Sequence, residues 1–197
     1  MPLLLELFSG TGSIGRAFRA RGWEVVSVDI DTNVIATLHM DVRDLTLDIV
    51  EQPDFIWASP VCCEYSRART TAKTPRDLVW ADSLVQAVLN IVREARCPAM
   101  FENPESGLLR HRDVVAGIAY RVVDYCKYAD HRSSHKARKR TAIWCIDVNW
   151  RPSQQLCKHD CGFCTGGRHD ESAQRGPARQ GMRRHTLQEL YAMPPLL

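Results

Sequence analysis

The stretch LLLELFSGTGS at residues 3–13 decides the fold class of this chain. Its mostly apolar first residues, Leu3–Leu7, predict a buried strand, and the glycines that follow predict a tight turn. Residues 13–21 continue as a short helix that ends at Gly22. A glycine-rich turn between a strand and a helix lets the backbone approach a ligand closely, although an ordinary tight turn has the same composition.

Strand and helix patterns alternate along the chain up to residue 149. The further predicted strands are 24–29, 54–58, 98–102, 121–128 and 141–147, and the further predicted helices are 32–39, 78–96 and 114–119. This alternation indicates an α/β fold with a doubly wound, Rossmann-like sheet. Beyond residue 149, Cys, His, Gly and Arg dominate. We therefore predict a main domain at 1–149, a small Cys/His-rich segment at 150–183, and a C-terminal helix at 184–197 that returns to the main domain.

The composition excludes several classes of protein. A chain of 197 residues with 45% hydrophobic and 25% charged residues is typical of a soluble globular domain. No apolar stretch reaches membrane-spanning length, and residues 2–7 are too short for a signal peptide. We expect no membrane association and an intracellular location, cytoplasmic or nuclear according to the host. In a reducing compartment the eight cysteines are expected as thiols or metal ligands before disulfides.

Charge is unevenly distributed, although the formal net charge is only +3. Residues 1–126 contain 13 basic and 17 acidic residues, whereas residues 127–185 contain 13 basic and 5 acidic residues. A basic second portion is typical of a face that binds a polyanion such as nucleic acid. A merely solvated basic surface is the alternative.

An acidic residue at the end of the second predicted strand supports the interpretation of the glycine turn as a ligand-binding site. Asp29 lies roughly twenty residues after the turn, where a carboxylate can accept hydrogen bonds from ribose hydroxyls. The turn lacks the Lys-Ser/Thr ending of a phosphate cradle. A nucleoside without a polyphosphate therefore fits this turn better than a nucleotide.

The segment ASPVCCEYS at residues 58–66 carries two adjacent thiols just past a predicted strand. Active-site groups gather where the strands of an α/β sheet end. Adjacent side chains point in opposite directions, so one of Cys62 and Cys63 can be a nucleophile while the other packs; an inert pair is the alternative. Glu102 ends the next predicted strand, where a partly buried, protonated Glu can act as an acid and a surface turn is the alternative.

Two groups of basic residues are candidates for contact with a ligand. The run KARKR at residues 136–140 precedes the last predicted strand, and alternation puts Arg138 and Arg140 on one face. Forked guanidinium hydrogen bonds from that face can orient a planar ligand, with a solvated basic edge as the alternative. Four more basic residues follow the cysteine pair and are candidates for phosphate contacts: Arg67, Arg69, Lys73 and Arg76.

The Cys/His-rich segment has ligand types and spacing that suit tetrahedral zinc. The predicted ligands are Cys157, Cys161, Cys164 and His169, with His159 as a competing fourth ligand. A segment with few apolar residues needs a cross-link, such as a bound metal ion, in order to fold. We therefore predict structural Zn²⁺, with free thiols or a disulfide as alternatives. The zinc segment is expected to brace a set of arginines against nucleic acid: Arg168, Arg175, Arg179 and Arg183.

In order along the chain, these motifs resemble those of the DNA cytosine-5 methyltransferases, over residues 3 to about 194. The family's Phe-x-Gly-x-Gly, Pro-Cys, Glu-Asn-Val and Gln-x-Arg-x-Arg motifs are similar to residues 8–12, 58–66, 102–108 and 136–140. Residues 40–42 resemble the short acidic motif near the cofactor's adenine. Residues 184–190 resemble the motif that follows the target-recognition region.

The resemblance implies methyl transfer from S-adenosylmethionine to carbon 5 of a flipped-out cytosine in DNA. It puts Cys62, not Cys63, at the nucleophile position, with Glu102 at ring nitrogen 3 and with Arg138 and Arg140 holding the base. The cofactor-binding residues that it implies are Phe8, Ser9, Gly10, Thr11, Gly12, Asp29, Ile30, Asp41, Val42 and Pro60.

The chain departs from the family pattern in several places. The replaced motif residues are Val61 for Pro, Cys63 for Gln, Pro104 for Val and Lys136 for Gln. The target-recognition stretch, 150–183, is very short, and the family's last motif is missing, so a protein partner or self-association is expected to complete the cofactor pocket. The alternative functions are a zinc-stabilised nucleic-acid-binding module without catalysis, and the same chemistry on RNA.

Overall fold

The computed structural model describes residues 1–69, 72–129 and 137–172. The strands are β1 (Leu3–Leu7), β2 (Glu24–Asp29), β3 (Leu38–His39), β4 (Phe55–Ala58), β5 (Ala99–Pro104), β6 (Tyr120–Asp124), β7 (Ala137–Arg138), β8 (Arg140–Ile146), β9 (Cys164–Thr165), β10 (Arg168–His169) and β11 (Glu171–Ser172). The helices are α1 (Ser13–Arg19) and α2 (Leu78–Ala95). Seven strands form the main sheet in the order β3-β2-β1-β4-β5-β8-β6.

The first strand lies in the interior of this sheet, between β2 and β4, and all five of its residues are buried. From β3 to β5 the neighbouring strands are parallel, whereas β8 is antiparallel to both β5 and β6. Parallel strands are usually covered on both faces, which explains why β1 and β4 read as continuous apolar runs.

Two apolar cores cover the two faces of the sheet. On one face, Leu5 and Leu7 of β1 belong to a cluster with the buried side of α2. On the other face, Leu4 belongs to a cluster with Ile14 and Phe18 of α1. Because side chains alternate along a strand, successive residues of β1 enter opposite cores. The predicted doubly wound α/β sheet is thus confirmed.

Two predicted helices are wrong. Residues 32–39 lack a helix because their backbone bonds to β2: the Thr37 amide donates to Ser27 Oγ at 3.0 Å, and Leu38–His39 pair with β2 as strand β3. Ile35 is 95% exposed, so this segment has no buried face to support a helix. Residues 114–119 form only the 3-10 turn Asp113–Val115, and Gly117 then takes a positive φ of 78°.

The predicted strand at 121–128 is shorter than expected. It ends at Asp124, and Tyr125–Lys127 form a 3-10 turn that becomes important below. Within the described part of the chain, no helix is long and apolar enough to cross a membrane. The division at residue 149 stays a prediction, and the predicted helix at 184–197 lies outside the described residues.

A buried carboxylate lies in the middle of β1. Glu6 is 1% exposed, next to the first turn of α1. Burial raises the pKa of Glu6 to about 7, and the nearby backbone of Gly15 and the charges of Arg19 and Arg16 only partly offset this rise. The folded protein therefore holds the Glu6 proton more tightly than the unfolded chain does. Protonation of Glu6 stabilises the fold fully below the ordinary pKa of 4.5, and this stabilisation is lost as the pH rises through about 7.

We therefore expect Glu6→Gln to stabilise the fold more strongly at about pH 8 than at about pH 5, by roughly 2 to 3 kcal/mol. Urea unfolding of the wild type and the variant at both pH values measures this difference. Glu24→Gln, at an exposed position on the neighbouring strand, is the control and is expected to show no such pH dependence. An equal effect of Glu6→Gln at both pH values would contradict the buried, titrating carboxyl.

Candidate active site and Cys/His cluster

The glycine turn after β1 is held by the end of β2. Gly10 and Gly12 have positive φ values of 51° and 67°, which the absence of a Cβ permits. The Gly10 amide donates to Asp29 Oδ2 at 2.8 Å, and the Asp31 amide donates to Asp29 Oδ1 at 2.9 Å. Each carboxylate oxygen has a second lone pair, so Asp29 can hold the turn and still accept hydrogen bonds from ribose hydroxyls.

The short acidic motif lies beside the same edge of the sheet. The Met40 amide donates to the Asp29 carbonyl at 3.1 Å, which brings Asp41 and Val42 to the end of β2. Asp41 Oδ1 accepts from the Arg43 amide at 2.9 Å. The side-chain hydrogen bond from Arg43 also holds the pKa of the Asp41 carboxyl below its usual range. Val42 is buried, so Asp41 is the polar member of this pair.

Several features of this edge fit a nucleoside-type cofactor. Ile30 is 67% exposed directly after Asp29 and offers an apolar contact beside the carboxylate. Ser9 Oγ is buried and has no hydrogen-bond partner among the residues that the structure describes. A buried hydroxyl without a protein partner is expected where a ligand completes the site. The carboxylate, the apolar surface and the open turn together suit a sugar and a base without phosphates.

The cysteine pair follows β4 at the same end of the sheet. Cys62 is exposed, whereas Cys63 is half-buried with its Sγ at 3.8 Å from Glu64 Oε1. Tyr65 is fully buried and donates to Asp82 Oδ1 of α2 at 2.9 Å. The segment is therefore anchored on its far side, and Cys62 is the thiol that it presents at the surface.

Two of the four basic residues after the cysteines do not project into solvent. Arg69 forms an ion pair with Glu64, and Arg76 donates to the carbonyls of Glu64 and Ser66, the second at 3.0 Å. These arginines hold the loop folded back on itself, and their phosphate contacts stay a prediction, since a guanidinium has five N–H donors. Arg67 and Lys73 are exposed and stay candidates for that role.

The end of β5 is tied to the cysteine segment by a buried amide. Asn103 is 1% exposed, and its Nδ2 donates to the carbonyl of Pro60 at 3.1 Å. Its Oδ1 is buried without a partner among the described residues. Glu102, directly before it, is 6% exposed, and its Oε1 accepts a hydrogen bond from Lys139 Nζ at 3.2 Å. Lys139 is thus the cation beside Glu102, and sequence analysis missed it.

Arg138 and Arg140 share a different partner. Both arginines donate to Asp124, Arg140 from Nε at 2.9 Å and Nη2 at 2.7 Å and Arg138 from Nε at 3.1 Å. Burial alone would raise the pKa of Asp124, but these bonds and the Cys157 amide hold it below its usual range. Both arginines therefore reach the same carboxylate, as a common face of the two side chains requires. Lys136, before them, lies outside the described residues.

The Cys/His-rich segment brings three of its four predicted ligands together. His169 Nε2 lies 3.4 Å from the Sγ atoms of Cys157 and Cys161. The fourth member of this group is not Cys164 but Cys126, whose Sγ is also 3.4 Å from His169 Nε2. Cys164 lies 3.6 Å from Cys161, sulfur to sulfur, and forms a second group of three with His159 and His169.

Sequence spacing had no signal for Cys126, because this residue belongs to the main domain and meets the segment only through the fold. Arg168 is exposed on the hairpin of the segment. The other three arginines predicted to contact nucleic acid, Arg175, Arg179 and Arg183, and the motif at 184–190 lie outside the described residues.

Comparison with known proteins supports the fold. No protein-family model and no curated protein matches this chain by sequence. An E. coli prophage protein assigned as a DNA modification methyltransferase is 18% identical, with a TM-score of 0.52 over 74% of this chain and 46% of that chain. The S. pombe Dnmt2 methyltransferase is 14% identical, with a TM-score of 0.50 over 78% of this chain and 52% of that chain. This chain therefore has the fold of these methyltransferases and spans about half of their length.

We expect Asn103→Ala to lower the free energy of unfolding by about 1 to 3 kcal/mol, because it leaves the buried Pro60 carbonyl without its donor. Asn90→Ala, at an exposed position on α2, is the matched control and is expected to have little effect. Chemical unfolding of both variants measures the difference. Equal stabilities would show that the link between β5 and the cysteine segment contributes nothing.

Proposed function

We propose that this protein transfers a methyl group from S-adenosylmethionine to carbon 5 of cytosine in DNA. The observation that supports this proposal most directly is the order of the strands. The glycine turn and Cys62 follow β1 and β4, Glu102 lies in the second half of β5, and these three strands are adjacent and parallel. Ligands of open α/β sheets bind at the carboxyl ends of such strands. The Asn103–Pro60 hydrogen bond then couples the nucleophile segment to the strand of Glu102.

The cofactor site is proposed at the edge formed by β1 and β2. S-adenosylmethionine bound there supplies the methyl group. Asp29 accepts from the ribose hydroxyls, Asp41 lies near the adenine amino group, and Ile30 covers an apolar surface of the cofactor. The remaining members of the proposed site are Phe8, Ser9, Gly10, Thr11, Gly12, Val42 and Pro60.

Cys62 is proposed as the nucleophile. The target base has to leave the duplex, because carbon 6 is out of reach within the stack. The Cys62 thiolate forms a bond to carbon 6, and the ring electrons that this releases make carbon 5 nucleophilic. Carbon 5 then takes the methyl group that bound S-adenosylmethionine would supply, leaving the demethylated cofactor, and a base removes the carbon-5 proton as the carbon–sulfur bond breaks to restore the thiolate. The surface exposure of Cys62 supports this role, since the base must reach the sulfur.

Glu102 is proposed to stabilise the negative charge that develops on the ring. Its carboxyl group contacts nitrogen 3 of cytosine, and Lys139 Nζ, which donates to Glu102 Oε1 at 3.2 Å, places a positive charge beside it. Arg138 and Arg140 are proposed to orient the base. A guanidinium has five N–H donors, so Arg140 can bind Asp124 and still contact a substrate.

DNA is proposed as the substrate for two reasons. The E. coli prophage protein that shares this fold is assigned as a DNA modification methyltransferase. The second portion of the chain is strongly basic, as binding to a phosphate backbone requires. The completion of the cofactor pocket by a protein partner or by self-association stays a prediction.

We expect Cys62→Ala to abolish methyl transfer, because it removes the sulfur that attacks carbon 6. Cys63→Ala is the matched control and is expected to retain most activity. Tritiated-methyl transfer to duplex DNA measures both variants. Incubation of the wild type with a 5-fluorocytosine duplex and cofactor should trap a covalent adduct, and peptide mapping should find it on Cys62. An adduct on Cys63, or activity that survives in Cys62→Ala alone, would overturn the assignment.

We expect Glu102→Gln to lower kcat by at least ~100-fold, because it removes a positioned acid. Glu94→Gln, at an exposed position on α2, is the control for the loss of a carboxylate. Single-turnover methyl transfer on the same DNA compares the two. Near-normal turnover in Glu102→Gln would remove Glu102 from the mechanism.

A further inference from the structure

The Cys/His cluster joins two segments that are far apart in the sequence. Cys126 lies in the 3-10 turn Tyr125–Lys127, directly after β6 of the main sheet. Cys157, Cys161 and His169 belong to the Cys/His-rich segment. The ligand atoms of all four residues lie within 4.8 Å of one another. A metal bound here would therefore fasten the small segment to the sheet, instead of only closing the segment on itself.

The distances within the cluster match a tetrahedral metal site. A tetrahedral Zn²⁺ with bonds of about 2.3 Å to sulfur and about 2.0 Å to nitrogen separates a sulfur and a nitrogen ligand by about 3.5 Å. The three sulfur–nitrogen distances in the cluster, from Cys126, Cys157 and Cys161 to His169 Nε2, are each 3.4 Å. The donor set of three thiolates and one imidazole is among those typical of structural zinc.

Burial supports a structural role for this site. Cys126 and Cys157 are 1% and 4% exposed, and Cys161 and His169 are half-buried. Four protein ligands leave no open position for a substrate or a reactive water. The surrounding segment buries few large side chains of its own, Phe163 being one, so a metal is a credible source of its folding energy.

We propose that Zn²⁺ bound by Cys126, Cys157, Cys161 and His169 fastens the Cys/His-rich segment to the end of β6 and so positions Asp124 and the arginine pair Arg138 and Arg140. Asp124 is two residues before Cys126 in the chain. Its Oδ2 accepts from the Cys157 amide at 2.9 Å. The metal therefore holds Cys126, which follows Asp124 by two residues in the chain, and Cys157, whose amide donates to the Asp124 carboxylate.

Further contacts join the same two segments. Lys127 forms an ion pair with Asp160 at 3.1 Å, and the Gln154 amide donates to Tyr128 Oη at 3.2 Å. Cys126, Lys127 and Tyr128 are consecutive, so the whole turn after β6 packs on the Cys/His-rich segment. Asp124 is the point at which this junction reaches the proposed active site, because the same carboxylate binds the two arginines.

The metal site is tested by comparing single-cysteine variants of the full chain purified without chelator. The wild type is expected to hold one Zn²⁺ per chain by elemental analysis. Cys126→Ser is expected to bind Zn²⁺ at least ~100-fold more weakly, because a ligand is lost. Cys164→Ser is expected to keep one Zn²⁺ per chain, as is Cys145→Ser, which removes a thiol outside the cluster.

Cobalt substitution decides the ligand set even if Cys126→Ser does not fold. The thiolate-to-cobalt absorption of the wild type is expected to correspond to three thiolates, and it should be unchanged in Cys164→Ser. Loss of metal in Cys164→Ser with retention in Cys126→Ser would overturn the proposal, and so would a wild type without metal. None of these measurements depends on catalysis, so they stand whether or not methyl transfer is observed.

The link to the arginine pair rests on the proposed function and has its own test. Asp124→Asn is expected to keep one Zn²⁺ per chain but to lower kcat by at least ~10-fold, because the arginines lose their orienting partner. The rate is expressed per active site trapped by the 5-fluorocytosine duplex. A smaller folded fraction of the variant is therefore not mistaken for a lower kcat. Asp113→Asn, at an exposed position, is the control. Full activity per trapped site in Asp124→Asn would overturn the link.

Discussion

The parallel alignment of β1, β4 and β5 is the constraint on which the proposed site depends. These strands are buried on both faces, so polar groups are tolerated mainly where the strands end. The glycine turn and Cys62 follow the ends of β1 and β4, and Glu102 lies near the carboxyl end of β5. Their proximity is therefore a consequence of strand order and direction. No local contact between the three segments is needed to bring them to the same edge.

Two polar groups that the sheet buries have partners from other segments. Asn103 donates to the Pro60 carbonyl, and Asp124 accepts from two arginines and the Cys157 amide. A buried carboxylate without such partners would lose its charge or destabilise the fold. Glu6 is the contrasting case, because its raised pKa lets it become neutral near pH 7. Beside the proposed site the buried polar groups are paired only in part, since Ser9 Oγ and Asn103 Oδ1 have no partner among the described residues.

Sequence reasoning was accurate where the pattern was local. Leu3–Leu7 and Glu24–Asp29 form strands as predicted, and the 78–96 helix begins at Leu78 and ends one residue early, because Arg96 takes a left-handed conformation with a φ of 51°. It was wrong at 32–39, where the Thr37 amide and residues Leu38–His39 bond to β2. Periodicity does not report such bonds, since they depend on what lies nearby in the fold.

The sequence by itself determined the α/β class, the glycine turn, the exposed thiol after β4 and the Cys/His composition of the second portion, because each of these is encoded within a short run of residues. Only the tertiary structure decided which groups meet across long separations. In the folded chain Lys139 binds Glu102, and Arg138 and Arg140 bind Asp124. Cys126, and not the predicted Cys164, is the fourth member of the four-donor cluster. The physical reason is that these contacts depend on the register of β8 against β5 and β6 and on the turn after β6, neither of which spacing along the chain specifies.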